Sequence, residues 1–155
     1  RWVQLKKASS TEACADEIIR LLRRYSSGKL SVADVVFISQ RINTGERIVE
    51  LLRQKYGYCF AHTFSSIRSE QQRLKHAFFL GDARMKATTI HSFKWYEARA
   101  IVIFVDENSC QPTKELLYVG LTRLREDQDG TYITVVSGHP KLAEYGRSWP
   151  EYAEL

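Results

Sequence analysis

Within nine residues, Thr89-Ile-His-Ser-Phe-Lys-Trp-Tyr-Glu97, the chain gathers two aliphatic hydroxyls, an imidazole, an ammonium and a carboxylate. Such a mixture can bind phosphate and sugar, or move a proton. A hydrolase built on His91 and Ser92 is disfavoured, because neighbours on a strand face opposite ways and no G-x-S-x-G elbow surrounds Ser92. A second group, Leu117-Tyr-Val-Gly-Leu-Thr-Arg-Leu-Arg125, supplies two arginines. A guanidinium is planar, permanently charged and able to engage two phosphate oxygens at once. The two arginines are Arg123 and Arg125. Arg125, two residues on, should face elsewhere and stay solvated or pair with an acid. The chain has no G-x-x-x-x-G-K-[S/T] phosphate loop. Ile101-Val-Ile-Phe-Val-Asp-Glu107 imitates a strand leading to a magnesium-binding acid. Without the loop, Asp106 and Glu107 read as polar residues at a strand end. Cys14, Cys59 and Cys110 lie far apart, and nothing completes a ligand set around Cys59 and His62, so no metal site is expected.

These residues need elements to position them. Ala87–Ile90 has the β-branched character of a strand that ends in the polar patch, and Ala100–Val105 is a buried strand. Upstream, Trp2–Leu5 alternates like a short edge strand. Ser9 and Glu12 form a capping box for a helix whose stripe is Ala15, Ile18, Ile19, Leu22 and Tyr25, with Arg20, Arg23 and Arg24 on its solvated side. Ala33–Ile38 is a continuous apolar run, as expected of a strand covered on both faces. Asn43 caps a helix that buries Ile48, Leu51 and Leu52 and ends before Gly57. Tyr58–His62 is a short strand. Glu70–Leu80 is a helix with Leu74, Ala77 and Phe78 on one face, closed by Gly81-Asp82. Residues 107–112 are a loop. Thr113 caps a helix with Leu117, Gly120, Leu121 and Leu124 on one face. Asp127–Gly130 is a turn, Thr131–Val136 a strand, and a short tail follows from Pro140. Alternating strands and helices predict one α/β domain around a mostly parallel sheet.

Lys86-Ala-Thr-Thr-Ile-His-Ser-Phe-Lys-Trp-Tyr-Glu97 with the apolar strand after it resembles motif V of the UvrD/PcrA/Rep-like superfamily 1 helicases. Leu117–Arg125 resembles motif VI of the same family, in the expected order. The likeness runs from about Ala33 to Val136 and implies the C-terminal, second RecA-like domain, a P-loop NTPase-type three-layer fold. It implies an ATP-dependent DNA helicase, hence an ATP hydrolase. Arg123 would be the arginine finger, Glu97 and Lys94 would join it at the nucleotide, and Thr89, His91 and Ser92 would lie along the single-stranded DNA track, RNA remaining an alternative. The resemblance also implies ATP with Mg2+, held mainly by an N-terminal RecA-like domain of the same chain that carries the phosphate loop. Family members usually place glycine after the motif V lysine; here the run reads Lys94-Trp95-Tyr96-Glu97. Trp95 or Tyr96 then either offers a stacking face for a base or packs inward. This departure motivates the alternative reading, a degenerate RecA-like module that binds nucleic acid or protein without motor activity. No large insertion separates Leu52 from Met85, and the family's Tyr-Arg motif near the start of this domain is absent.

Length and composition agree with a single domain spanning 1–155. At 155 residues the chain can bury a sizeable core. With 44% hydrophobic and 26% charged residues it falls in the globular class rather than the disordered or membrane-spanning classes. A net charge of +5 is compatible with a polyanionic partner, but equally with an ordinary basic surface. The chain opens on Arg rather than Met, from which a piece of a longer protein is expected, inactive in isolation. Unpaired cysteines suit the reducing cytoplasm.

Overall fold

The computed structural model describes residues 1–6, 11–25, 30–79, 81–107 and 113–155. Its elements in chain order are β1 (Trp2–Gln4), α1 (Thr11–Tyr25), β2 (Val35–Ser39), α2 (Ile42–Tyr56), β3 (Phe60–His62), α3 (Arg68–Ala77), β4 (Met85–Thr89), α4 (Ile90–Phe93), β5 (Ala100–Val105), α5 (Thr113–Leu121), β6 (Tyr132–Ser137), α6 (Ala143–Arg147) and β7 (Tyr152–Glu154). The strands form one seven-stranded sheet in the order β3-β4-β2-β5-β6-β1-β7. Every pairing is parallel. This is the expected α/β architecture, and its parallel character extends to all the strands.

Strand periodicity divides the core into two layers. Ala100, Val102 and Phe104 of β5 join Val35 and Phe37 of β2 and the apolar stripes of α1 and α2. The alternate residues Ile101, Ile103 and Val105 join Val36, Ile38, Ile90, Phe93 and Leu117 on the opposite face. All six β5 side chains are buried, which is why that run reads as continuously apolar. Gly57 ends α2 in the left-handed region (φ 71°), where its N–H caps the Arg53 carbonyl at 3.0 Å. Lacking a Cβ, glycine adopts this conformation without steric cost.

Several expectations are corrected. β1 is not an edge strand, for it lies between β6 and β7. The expected short tail contains a helix and the edge strand β7. Residues 33 and 34 belong to a 3-10 turn, in which the Ser31 N–H and hydroxyl both donate to Asp34 Oδ2, at 2.9 and 3.0 Å. α2 starts at Ile42, so Asn43 lies inside it, and Val49 rather than Leu51 completes its buried stripe. α3 runs from Arg68 to Ala77 without a buried residue, and Phe78 is buried just beyond it. The polar patch after β4 is the single helical turn α4. α5 ends at Leu121, leaving Leu124 to bridge Ala98 instead. Arg20 and Arg24 are tied to acids, Arg20 to Glu17 at 2.7 Å and Arg24 to Glu151 at 3.3 Å. Ser9 and residues 108–112 lie outside the described residues, as does the Tyr25 side chain.

Candidate functional site

The motif residues separate to the two ends of the sheet. At the carboxyl end, Thr89 closes β4 and caps α4. Its Oγ1 accepts from the Ser92 N–H at 3.4 Å and donates to Ser92 Oγ at 3.1 Å. This relay leaves the Ser92 O–H as its outward donor. His91 stands exposed beside it. Further hydroxyls that the sequence did not single out line the same end. Thr63 and Thr88 pair at 2.6 Å, Ser39 donates to the Arg41 carbonyl at 2.8 Å, and Thr44 donates to Asp106 Oδ2 at 3.2 Å. Asp106 is thus a buried strand-end acid held by α2, as the absence of a phosphate loop led us to expect. Strand ends of an open parallel sheet are where such folds bind ligands. Hydroxyls and backbone amides there suit phosphate and sugar rather than base edges.

The amino end holds the second group. Ala98 and Leu124 form a parallel bridge. The Ala98 N–H donates to the Arg123 carbonyl at 3.0 Å, and the Arg125 N–H donates to the Ala98 carbonyl at 2.9 Å. Glu97 and Arg123, 26 residues apart in sequence, are thereby placed beside one another. Arg123 is half-buried just past the carboxyl end of α5, where the helix dipole favours a cation. Its Nε is buried without a hydrogen-bond partner among the described residues. Such an orphaned donor is costly unless something accepts from it. Gly120 brings α5 close enough to position this arginine: a Cβ there would lie 2.5 Å from Ile103 Cδ1. Arg125 turns to Asp127 at 4.0 Å and is otherwise exposed.

A cleft of about 370 Å³ opens at this end, lined by Asp34, Asp82, Lys86, Glu97, Arg99 and Arg125 among others. Lys86 is buried on the α4/α5 side of β4, and its ammonium donates to the Ala33 carbonyl. Burial lowers its pKa, against the opposing pull of Asp82 and Asp34. Arg84 donors hold the Asp82 carboxyl well below the usual carboxylate range. Arg99 is buried, with Nε donating to the Gly130 carbonyl at 2.9 Å and ion pairs to Asp127 at 3.4 Å and Asp34 at 3.6 Å. Its Nη2 has no partner among the described residues. Lys86, Arg99 and the two aspartates escaped sequence reasoning. Only the fold brings the starts of β2, β4 and β5 together.

Lys94 and Trp95 lie between the two ends, in the turn that carries the chain from α4 back to β5. The Lys94 ammonium stands 5.2 Å from the Trp95 ring centroid. Trp95 is 80% exposed, so it does not pack inward, whereas Tyr96 packs on Phe78 and Phe93. Among the described residues, no cluster of three or more His, Cys, Asp or Glu side chains is arranged to hold a metal ion, and no helix is long and apolar enough to cross a membrane.

No protein-family model and no curated protein matches the chain. Solved structures do. The C-terminal domain of a possible DNA helicase from Lactobacillus plantarum superposes with a TM-score of 0.64 at 17% identity, covering 98% of this chain and 83% of that one. The E. coli DEAD-box protein SrmB, solved bound to the regulator RraA, gives 0.55 at 14% identity over 99% of this chain and 88% of its own. The C-terminal part of the Fun30 ATPase domain gives 0.51 at 16% identity, over 78% of this chain and 40% of that one. The fold is therefore the RecA-like α/β fold found in the C-terminal domains of helicases.

Proposed function

We propose that this chain is the second motor domain of an ATP-dependent, UvrD-like DNA helicase. The observation that carries the reading is the Ala98–Leu124 bridge. It sets Glu97 beside Arg123, whose buried Nε lacks a partner among the described residues, at the end of the sheet opposite the Thr89–Ser92 hydroxyl relay. A domain that must couple nucleotide to strand needs two such separate surfaces. In this reading an N-terminal RecA-like domain holds ATP and Mg2+. Arg123 reaches across to the γ-phosphate and stabilises charge in the transition state. The Glu97 carboxylate accepts from a ribose hydroxyl, and Lys94 adds positive charge nearby. Thr89, His91 and Ser92 line the single-stranded DNA path through phosphate and sugar contacts, which would also admit RNA.

The testing experiment measures ATP turnover by the intact protein with and without single-stranded DNA, alongside Arg123→Ala. The expected outcome is stimulation by DNA, with a loss in the variant of about a thousandfold or more while ATP binding is kept. Absence of DNA-stimulated turnover would favour the second reading, a RecA-like module retained for binding. The exposed Trp95 at the family's glycine position motivates that alternative.

A further inference from the structure

β3 closes one side of the sheet and pairs with β4 alone among the described strands. Just past β3, the Thr63 N–H donates to the Ala87 carbonyl of β4 at 3.1 Å. Successive residues of a strand in parallel pairing turn their backbone groups to opposite sides. Ala61 therefore faces β4 along with Thr63, and Phe60 and His62 turn theirs outward. The Phe60 carbonyl accepts from Arg84 Nη1 at 3.4 Å. The Phe60 N–H and both backbone groups of His62 have no hydrogen-bond partner among the described residues. They border a groove of about 330 Å³ between β3 and α3. Its lining is largely apolar, from Ala61, Leu74, Ala77 and Phe78, and α3 buries no residue of its own. The two arginines at the groove differ. Arg84 is held by Asp82. Arg73 has a side chain 77% exposed and meets Glu70 at 3.7 Å, beyond hydrogen-bond distance. No acid lines the groove among the described residues. Unpaired donors and acceptors along a strand edge match another extended chain, which is how sheet edges take up peptides.

We infer that the groove between β3 and α3 binds an extended peptide segment of a partner protein, which pairs with the Phe60–His62 edge as a further strand. Side chains of such a segment alternate in direction. One, aliphatic or aromatic, enters beside the small Ala61 and packs on Leu74, Ala77 and Phe78. An acidic residue two positions along, on the same face, meets Arg73. Backbone pairing supplies the affinity and the groove the selectivity. The inference does not rest on the motor reading, and its test uses no nucleotide. The probe is a phage-displayed library of random short peptides selected on the intact protein, with the selected peptides resynthesised and titrated by fluorescence anisotropy. They should share an apolar residue with an acid two positions away, and their binding should slow amide exchange in Phe60–His62. His62→Pro removes an outward N–H and leaves the bonds to β4 in place. Ala77→Glu obstructs the groove from an exposed helix position and should keep the natural melting temperature. Each should weaken binding by about tenfold or more, and Arg73→Glu should turn the selected sequences from acidic to basic. If His62→Pro fails to fold, Ala77→Glu decides alone. Peptides indifferent to Ala77→Glu overturn the inference, as does a selection that enriches no sequence. Light scattering tests the other occupant: a protein that self-associates, and that Ala77→Glu makes monomeric, fills the edge with a second copy, and the peptide inference falls.

Discussion

Arg123 owes its setting to neighbours that are far away in sequence. The Ala98 amide grips its carbonyl, and Gly120 lets its helix settle against Ile103. Charge alone should therefore not suffice at this position. Arg123→Lys should keep ATP binding, as Arg123→Ala does, and recover little of the turnover, because an ammonium cannot present the planar fork; single-turnover kinetics would show the deficit in the chemical step. His62 makes a different kind of prediction. Burial is the largest influence on its imidazole and holds the pKa below the ordinary value of 6.5. As pH falls, the unfolded chain takes up this proton before the folded one does, so the unfolded state binds more protons between the two pKa values. Stability is thus whole above 6.5 and declines as pH drops through 6.5 toward the folded value. His62→Gln should flatten that decline in denaturant titrations run from about pH 8 to about pH 5.

α5 shows how an element delivers a residue. Gly120→Val would push it off β5 and cost about 1–3 kcal/mol in chemical denaturation, and it should also lower turnover by displacing Arg123. α3 lies at the other extreme. With no buried residue of its own, it flanks the β3 edge, where Leu74 and Ala77 share a shallow groove with Phe60. Its amides should exchange with solvent faster than those of α2, whose Ile48, Val49 and Leu52 are buried; native-state hydrogen exchange would check this. The same contrast explains what could be read in advance. β2 and β5 were legible because a strand covered on both faces must be apolar throughout. α4 was not, since four residues are too few to show a helical period, and its cap is a threonine that also suits a strand. The cleft cations were hidden for another reason. Lys86 and Arg99 are ordinary charged residues in sequence, and their burial follows from which strands become neighbours.

At the scale of the molecule, the two candidate surfaces share one sheet, and the sequence contains no phosphate loop. The chain by itself should therefore show no ATP turnover above background in a coupled assay, and turnover abolished by Arg123→Ala would overturn that expectation. The alternation of strands and helices made the overall architecture readable but misplaced β1 at an edge, because its partners are set by pairing across the length of the chain. Trp2 lies in register with Val135 on one side and Tyr152 on the other. Within the domain this strand precedes both of its neighbours in the chain. Until β6 and β7 are in place, Trp2 and Val3, fully buried in the finished domain, lack the strands that cover them, so a chain cut short of those strands would leave an apolar strand edge open to aggregation.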